Sequence, residues 1–350
     1  MKVIKKYTDV FSLFKVDHSI IIIMKEDDGD YCQKSYNLNN NKLLKTSYLR
    51  DYGSYLYDFA QDKLKIYDSE FNHLYDIQKE DAKYSNTSIG YMDANIVVIS
   101  QSIWNNQDKL VSYYTVYENQ KPIASEEYCG KFLNMDYRLN FKYEEKYNPT
   151  YFRLSDLLDK HTYFEYECEK GEESDGRFIL YKDKLIFYTR EKEKESYDTL
   201  FWVNVLDINT GNQLYKMEVE HYCANFDYQK GKFVSIEGIC QNNSTIKRYE
   251  IVDINSGVVE RENFHYEGFM FAVGTTVQYL DQNKLYFADN IKFEGQSKTP
   301  KIGCFNIDRK EILFMEDLKE AEVHRIDQII SNKGRIYART NTNDLFIMVI

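Results

Sequence analysis

Four acidic side chains lie within one stretch of seven residues: Glu169, Glu172, Glu173 and Asp175. We expect residues 165–175, which also contain glycine, to form an exposed acidic loop. Carboxylates gathered in a loop attract a basic partner and guide its approach, so these four are candidate partner-binding residues. Trp104 is a fifth candidate, because tryptophan is enriched at the energetic centres of protein interfaces.

Other residue types that carry chemistry do not form a recognisable motif. The six histidines are spread so that no two lie within ten residues of each other, and no two of the six cysteines have the C-x-x-C spacing of a zinc or redox site. There is also no G-x-S-x-G nucleophile elbow and no glycine-rich phosphate loop. We therefore expect no catalytic, cofactor-binding or metal-binding residues, and reduced, mostly buried cysteines.

The composition narrows the classes of partner. The chain has 350 residues, with 45 Lys and Arg against 56 Asp and Glu, which gives a net charge of −11. This balance disfavours nucleic acid and anionic membranes as partners. The 32 tyrosines, 21 phenylalanines and two tryptophans are enough to build a large core. The composition therefore predicts a globular protein with a protein partner, and charge complementarity predicts that this partner is basic.

The first residues carry no apolar stretch of the length found in a secretion signal, because Ser12, Lys15 and Asp17 interrupt it. The longest apolar runs, residues 20–24 and 345–350, are far shorter than the roughly 18 residues that span a bilayer. We expect a cytoplasmic protein without a membrane-spanning helix.

Short strands rich in Ile, Val, Tyr, Phe and Leu alternate with polar turns along most of the chain, which indicates an all-β fold. One phrase, a polar turn followed by an apolar strand, recurs in the second half. Its aligned residues are Leu185, Phe233, Leu285 and Ile336, with steps of 48, 52 and 51 residues. A period near 50 residues with several strands per repeat is typical of propeller blades.

A second phrase is a hairpin, in which an apolar strand ends in Asp and is followed by a polar turn and another strand. It occurs as Asp207-Ile208-Asn209-Thr210-Gly211 and as Asp253-Ile254-Asn255-Ser256-Gly257. These turns resemble those of the quinoprotein-like and WD40-like β-propeller superfamily, most clearly over residues 176–350. The resemblance implies a propeller architecture and is not specific enough to imply an activity.

Weaker versions of both phrases occur in the first half, at residues 16–23, 65–74 and 92–99. Dividing 350 residues by a period near 50 predicts seven blades of four antiparallel strands in a single domain, residues 1–350, with six or eight as alternatives. We expect the N-terminal strand to pair in the C-terminal blade and so close the ring. Ser155 is placed to cap a short helix over residues 157–160.

A propeller presents broad faces built from loops, so recognition is its most common use. The leading hypothesis is a non-enzymatic cytoplasmic protein that binds another protein through one face. A bacterial immunity protein that neutralises a basic toxin is one such protein, and the Lys-, Asn-, Ile- and Tyr-rich composition is typical of an AT-rich bacterial genome. The alternative is a glycan-processing lyase or hydrolase, or a small-ligand binder, that uses the central cleft.

Overall fold

The structure is a computed structural model. It describes the following residues: 1–25, 33–46, 49–59, 63–78, 86–104, 110–127, 130–143, 149–192, 200–219, 225–241, 244–263, 277–289, 292–293, 296–297, 299–321 and 325–349.

Within these ranges the chain forms 34 strands and one 3-10 helix, Lys319–Ala321. The strands of the first half are, in chain order, β1 (Lys2–Tyr7), β2 (Val10–Val16), β3 (Ser19–Lys25), β4 (Gln33–Asn37), β5 (Leu43–Thr46), β6 (Leu49–Tyr52), β7 (Tyr55–Phe59), β8 (Lys63–Tyr67), β9 (His73–Gln78), β10 (Asn86–Met92), β11 (Ile96–Trp104), β12 (Leu110–Glu118), β13 (Lys121–Glu127), β14 (Gly130–Phe132), β15 (Tyr137–Tyr143), β16 (Pro149–Asp156) and β17 (Thr162–Glu167). The strands of the second half are β18 (Glu172–Tyr181), β19 (Lys184–Glu191), β20 (Phe201–Asp207), β21 (Gln213–Val219), β22 (Asn225–Asp227), β23 (Lys232–Gln241), β24 (Ser244–Asp253), β25 (Val258–Asn263), β26 (Val277–Asp281), β27 (Lys284–Asp289), β28 (Lys292–Phe293), β29 (Gln296–Ser297), β30 (Lys301–Asn306), β31 (Glu311–Asp317), β32 (Ile326–Asn332), β33 (Arg335–Thr340) and β34 (Leu345–Val349).

The strands of the described residues form eight four-stranded antiparallel sheets, which we call blades 1–8. Blades 1–6 each take four consecutive strands, from β2–β5 in blade 1 to β22–β25 in blade 6. Blade 7 consists of β26, β27, β30 and β31, and the hairpin β28–β29 is inserted within it. Blade 8 has the order β32-β33-β34-β1, so its fourth strand comes from the start of the chain.

The chain therefore has eight blades, and the predicted number of seven is wrong. The second strands of the blades begin at residues 19, 55, 96, 137, 184, 232, 284 and 335, so the successive steps are 36, 41, 41, 47, 48, 52 and 51 residues. The recognisable repeats all lie in the second half, where the steps are longest and blade 7 carries its inserted hairpin. A period taken from that half is too long for the first half and gives one blade too few.

Contacts divide the chain into two compact units. One comprises residues 1–46 and 223–350 and holds blades 1, 6, 7 and 8; the other comprises residues 47–222 and holds blades 2–5. Within each unit, the first strands of successive blades contact each other, as β26 and β32 do in one unit and β6 and β10 in the other. The first strands therefore lie at the inner edge of their blades, and the fourth strands at the outer edge.

The core lies between neighbouring blades. Leu64 and Ile66 of blade 2 pack in one cluster with Val97 and Ile99 of blade 3. Phe152 of blade 4 packs in the same way with residues of blade 5. Each blade buries both faces of its middle strands, which explains why these strands are almost continuously apolar in sequence.

Both repeated phrases are hairpins, as predicted. In the turn between β20 and β21, the carboxylate of Asp207 accepts hydrogen bonds from the backbone N–H groups of Asn209 and Thr210, at 3.0 and 2.9 Å. Gly211 closes the turn with φ of +71°, a conformation that is strained for other residues. The turn after Asp253 repeats this geometry.

The helix predicted after Ser155 is wrong. Ser155 lies in β16, and residues 157–161 form the turn to β17. Asp159 adopts φ of +57°, and its carboxylate lies 2.9 Å from the guanidinium of Arg138 and 2.7 Å from that of Arg153. Because the Arg138 side chain is only 1% exposed, its charge requires a nearby anion, and the turn places the partly exposed Asp159 carboxylate against it.

Two of the cysteines lie in described parts of the core. Cys168 and Cys304 are free and buried. Burial raises the pKa of Cys168 to about 12 and that of Cys304 to about 11, so both remain unreactive thiols at neutral pH. This agrees with the expected reduced, buried state for these two; the side chains of the other four lie outside the described residues.

Candidate functional site

The prediction that residues 165–175 form an acidic loop is wrong. Strand β17 extends to Glu167 and β18 begins at Glu172, which leaves only residues 168–171 between the two strands. Three of the four acidic candidates, Glu172, Glu173 and Asp175, therefore lie in a strand at the inner edge of blade 5.

Glu172 is buried and bonded within its blade. Its carboxylate accepts a hydrogen bond from the Thr189 hydroxyl at 2.8 Å and another from Lys216 Nζ at 2.6 Å. The Asn204 amide in turn donates to the Thr189 hydroxyl at 2.9 Å. These residues belong to β18, β19, β20 and β21, so the chain of polar contacts links all four strands of blade 5. Such a network stabilises the blade as long as each member keeps its partner.

Asp175 lies in a bulge of β18. Residues 175–177 stand opposite a single residue of β19, Tyr188, because the register shifts between Ser174 and Phe178. Gly176, with φ of +77°, allows the backbone to make this excursion. Bulges re-aim side chains, and this one removes Asp175 and its neighbours from the regular ladder.

The bulge brings charged groups of blades 4 and 5 together. Lys131 of β14 donates from Nζ to the Phe178 carbonyl at 3.2 Å. Burial raises the pKa of Asp175, although the charges of Arg177, Arg190 and Lys131 oppose this shift. Burial also lowers the pKa of Lys131. Asp175 thus lies near three basic groups, and one of them, Lys131, belongs to the neighbouring blade.

The remaining candidates differ in exposure. Glu173 pairs with Arg190, with 2.9 Å between Oε1 and Nε, and its side chain is 17% exposed. Glu169 lies 2.8 Å from Lys216 Nζ, yet its side chain is 60% exposed. Trp104 is the last residue of β11, and its side chain lies outside the described residues. Partner binding by these residues stays a prediction, for which Glu169 offers the most accessible carboxylate of the four acids.

A second group of residues was not singled out by the sequence. In each blade, the turn from the first to the second strand and the turn from the third to the fourth strand lie at the same end of the sheet, which we call the turn end. Six tyrosines that are not fully buried lie at the turn ends of blades 2–4: Tyr52, Tyr55, Tyr75, Tyr91, Tyr137 and Tyr163. Tyr163 is 36% exposed, and the other five are half-buried and pack against the core clusters of these blades. We call this group the tyrosine surface.

Contacts connect the tyrosine surface across three blades. The rings of Tyr52 and Tyr91 meet edge to face, with centroids 6.2 Å apart, and the Tyr52 hydroxyl donates to the Gly90 carbonyl at 3.3 Å. The Tyr91 hydroxyl donates to Asp93 Oδ2 at 3.1 Å and accepts a hydrogen bond from the backbone N–H of Met135 in blade 4. Blades 2, 3 and 4 are thus joined at this end through aromatic side chains.

Blade 4 contributes an aromatic group of its own. The Tyr163 ring lies between two others, 5.1 Å from the Tyr137 ring and 4.8 Å from the His161 ring, both in edge-to-face geometry. Met135, in the neighbouring turn, is 48% exposed. These rigid rings with polar edges and a flexible thioether are typical of surfaces that bind other proteins.

Four hydroxyl groups of the tyrosine surface have raised pKa values. Burial and the nearby carboxylate of Asp93 raise the pKa of Tyr91 to about 12. Burial likewise raises the pKa of Tyr52, Tyr75 and Tyr137. These hydroxyls stay protonated at neutral pH, and because Tyr52 and Tyr91 already donate their hydrogen within the protein, they offer a bound partner their acceptor side.

Bulges in the fourth strands add apolar side chains. In the described residues, the fourth strand of every blade carries one exposed large apolar residue: Ile4, Leu43, Leu74, Ile123, Tyr163, Leu214, Val258 and Leu313. In six blades this is the residue left unpaired by a register shift, as Leu74 is between the pairs Ile66–Tyr75 and Tyr67–His73. The bulge interrupts the open outer edge, which limits edge-to-edge aggregation, and it leaves an apolar side chain near the turn end.

The turn ends of blades 2–4 are acidic. Their turns contain Asp68, Glu70, Asp93 and Asp136 against Lys160, apart from Asp159, which is paired with two arginines. A partner for this surface would gain most from aromatic and apolar contacts supplemented by positive charge.

The sequence signals for this surface were present but weak. With 32 tyrosines in the chain, residue type alone does not distinguish those in the core from those at a turn end. The relevant signal is a tyrosine within three residues of a predicted polar turn, such as the Gly53-Ser54 turn between Tyr52 and Tyr55.

No group of three or more metal-ligating side chains occurs in the part of the chain that the structure describes. No helix in that part is long and apolar enough to cross a membrane.

No protein-family model and no curated protein sequence matches the chain. Among solved structures, quinohemoprotein alcohol dehydrogenase from Comamonas testosteroni matches with a TM-score of 0.51 at 7% identity, over 99% of this chain and 76% of that one. BamB from Moraxella catarrhalis matches with a TM-score of 0.49 at 9% identity, over 100% and 97% of the two chains. The WD40 domain of SCAP from fission yeast matches with 0.41 at 8% identity, over 97% and 95%.

At such low identity the similarity concerns the fold and not the activity. The dehydrogenase match and the eight four-stranded blades agree with the resemblance seen in the turn sequences. The chain has a β-propeller fold.

Proposed function

We propose that this protein is a non-enzymatic binding scaffold that recognises a basic protein through the tyrosine surface of blades 2–4. The observation that carries the proposal is the group of half-buried and exposed tyrosines at one end of three consecutive blades, in which Tyr52 contacts Tyr91 and Tyr137 contacts Tyr163. Tyrosine rings fixed by their neighbours bind a partner with little loss of side-chain entropy. The acidic turns around them favour positive charge on that partner.

The experiment is a quantitative capture of proteins from the native cell by the immobilised protein and by two variants. The test variant combines Met135→Ser, Tyr137→Ser and Tyr163→Ser. The control variant combines Tyr228→Ser and Leu313→Ser, which removes two exposed side chains, 63% and 39% exposed, from the other unit. Unfolding curves of both variants would be measured first, to establish that each is folded.

A specific basic protein is expected to bind the wild type and the control variant, and to be recovered roughly tenfold less by the test variant. Its recovery should also fall as salt is raised. If every captured protein binds the two variants equally, the tyrosine surface is not the binding site.

A toxin neutralised in the bacterial cytoplasm is the partner class we propose. The net charge of −11 and the acidic turns support a basic partner, and the composition supports a bacterial source. Co-expression with a basic toxin encoded beside this gene should restore growth with the wild type and not with the test variant. If the wild type and the test variant restored growth equally, the protein would neutralise the toxin without using the tyrosine surface.

We also propose that the N-terminal strand closes blade 8 by pairing with the last strand of the chain. The pairing of Lys2–Tyr7 with Leu345–Val349 supports this, because it joins the two ends of the chain in one sheet. Deletion of residues 1–7 would expose the edge of β34 and should lower the free energy of unfolding by a few kcal/mol. Unchanged stability would contradict a role for this strand in closure.

A further inference from the structure

We infer that a cavity at the inner edge of blades 7, 8 and 1 binds a neutral hydroxylated ligand of the size of a mono- or disaccharide. The cavity has a volume of about 500 Å³, within the roughly 300–1,000 Å³ typical of small-molecule pockets. Its lining comes from β26, β32 and β2 with the following turn, all in one unit. The site is separate from the tyrosine surface and does not depend on the proposed function.

The walls of the cavity are held by side chains that cross between blades. The Gln328 amide donates to the Leu13 carbonyl and so ties blade 8 to blade 1. Gln278 accepts from the Ile236 N–H at 3.1 Å and donates to the Ile236 carbonyl at 2.8 Å, which ties blade 7 to blade 6. Walls fixed in this way need little rearrangement on binding, which favours affinity for a small ligand.

Lys15 supplies hydrogen-bond donors to the cavity. Its Nζ donates to the Ser331 carbonyl at 3.1 Å, and the nearest carboxylate, that of Asp281, lies 3.9 Å away, beyond hydrogen-bond distance. An ammonium group has three N–H donors, so it retains capacity for an oxygen of a ligand. The side chain is 20% exposed, and the residue lines the cavity.

The other walls suit a molecule with both hydroxyl groups and C–H faces. Asp17 lines the cavity next to Lys15 and can accept hydrogen bonds from hydroxyl groups. The Tyr279 ring, whose centroid lies 5.6 Å from Lys15 Nζ, provides an aromatic surface, and Phe14 and Ile329 provide apolar contacts. A sugar ring presents hydroxyl groups at its edge and C–H groups on its faces, so it can use both kinds of wall.

The charge balance selects a neutral ligand. Two carboxylates, Asp17 and Asp281, accompany one ammonium, Lys15, at or beside the cavity. An anion would meet the surplus of negative charge, and a cation would meet Lys15 at the point where the donors are available. A neutral hydroxylated molecule avoids both repulsions.

The test is calorimetric titration of the full chain with neutral sugars (glucose, galactose, N-acetylglucosamine and maltose), with glucuronate and protonated glucosamine as charged comparisons. The site variants are Lys15→Met, which keeps the length of the side chain, Tyr279→Ala and the exposed Asp17→Asn. The matched control is Lys182→Met, because Lys182 also lies over a tyrosine ring, with 4.9 Å between Nζ and the Tyr181 centroid.

At least one neutral sugar should bind saturably, and binding should weaken tenfold or more in Lys15→Met and Tyr279→Ala while Lys182→Met behaves as wild type. If Lys15→Met unfolds, Asp17→Asn at the cavity mouth gives the same test, since its side chain carries no core packing. Failure of all four neutral sugars to bind, preference for a charged sugar, or binding unaffected by the site variants would each overturn the inference.

Discussion

The acidic segment of blade 5 and the tyrosine surface of blades 2–4 are both rich in residues suited to binding, yet the fold uses them in opposite ways. Glu172 of the acidic segment is buried and bonded to Thr189 and Lys216 of its own blade. Tyr163 of the tyrosine surface is 36% exposed and contacts the rings of Tyr137 and His161 at the turn end. Position in the blade, rather than residue type, separates a structural from an accessible side chain.

The physical reason lies in how blades pack. Within each unit, neighbouring blades cover the faces of the sheets, so a charged residue on a strand must find a partner inside the protein. The turn ends are not covered in this way, and aromatic side chains there remain available. The predictions below test this division, beginning with the largest expected effect.

Substitution of Asp159, in the turn that precedes Tyr163, should lower the free energy of unfolding most. Asp159→Asn removes the carboxylate that lies 2.9 Å from the buried guanidinium of Arg138, and we expect a loss of roughly 3–5 kcal/mol in the free energy of unfolding at neutral pH. Urea denaturation followed by tyrosine fluorescence measures it. A loss below about 1 kcal/mol would contradict the role assigned to this ion pair.

The ion pair between Asp159 and Arg138 should also make the free energy of unfolding depend on pH. Burial works against ionisation of Asp159, but the hydrogen bond from Ser155 and the charges of Arg138 and Arg153 outweigh it and lower the pKa of the carboxyl. The contribution is therefore present above the ordinary aspartate pKa of about 3.9 and is lost as the pH falls through the lowered value. The difference in unfolding free energy between the wild type and Asp159→Asn should shrink below about pH 4. A constant difference would show that the carboxylate charge is not involved.

Within the acidic segment, Glu172 and Glu169 should differ sharply. Glu172→Ala removes an acceptor from Thr189 and from Lys216, and a loss of about 2–4 kcal/mol in unfolding free energy is expected. Glu169→Ala, which removes an exposed carboxylate from the same lysine, should cost less than about 1 kcal/mol. Equal losses in chemical denaturation would remove the distinction between buried and accessible acids.

The tyrosine surface should show the reverse behaviour. Tyr163→Ser should change the free energy of unfolding by less than about 1 kcal/mol, because the side chain is exposed. It should nevertheless weaken binding of the captured partner roughly tenfold, as measured by surface plasmon resonance. Tyr228→Ser is the matched control, and the proposal fails if both variants bind alike.

The smallest effect is expected at Glu169. Glu169→Lys reverses an exposed charge and should lower the association rate of a basic partner by about two- to fivefold at low salt if the acidic segment helps to steer it. The difference should vanish at high salt. An unchanged rate at low salt would exclude this segment from partner binding.

The sequence determined the local structure well. Short-range rules explain the apolar strands that alternate with polar turns, the turns that begin with Asp, such as that at Asp207, and the positive φ of Gly211. A hairpin needs only its own residues to specify it. The propeller architecture followed from the repetition of these hairpins. The weak phrases at residues 16–23, 65–74 and 92–99 correspond to hairpins of blades 1, 2 and 3.

Only the tertiary structure decided the number of blades and which of the candidate residues are buried or exposed. The repeat length varies from 36 to 52 residues, and nothing local sets it. The burial of Glu172, the ion pair that forms the Asp159 turn and the bulge at Asp175 each depend on residues far away along the chain or in the next blade. Such contacts appear only when strands pair and blades pack, because the free energy of a charged or aromatic side chain is set by the neighbours that surround it.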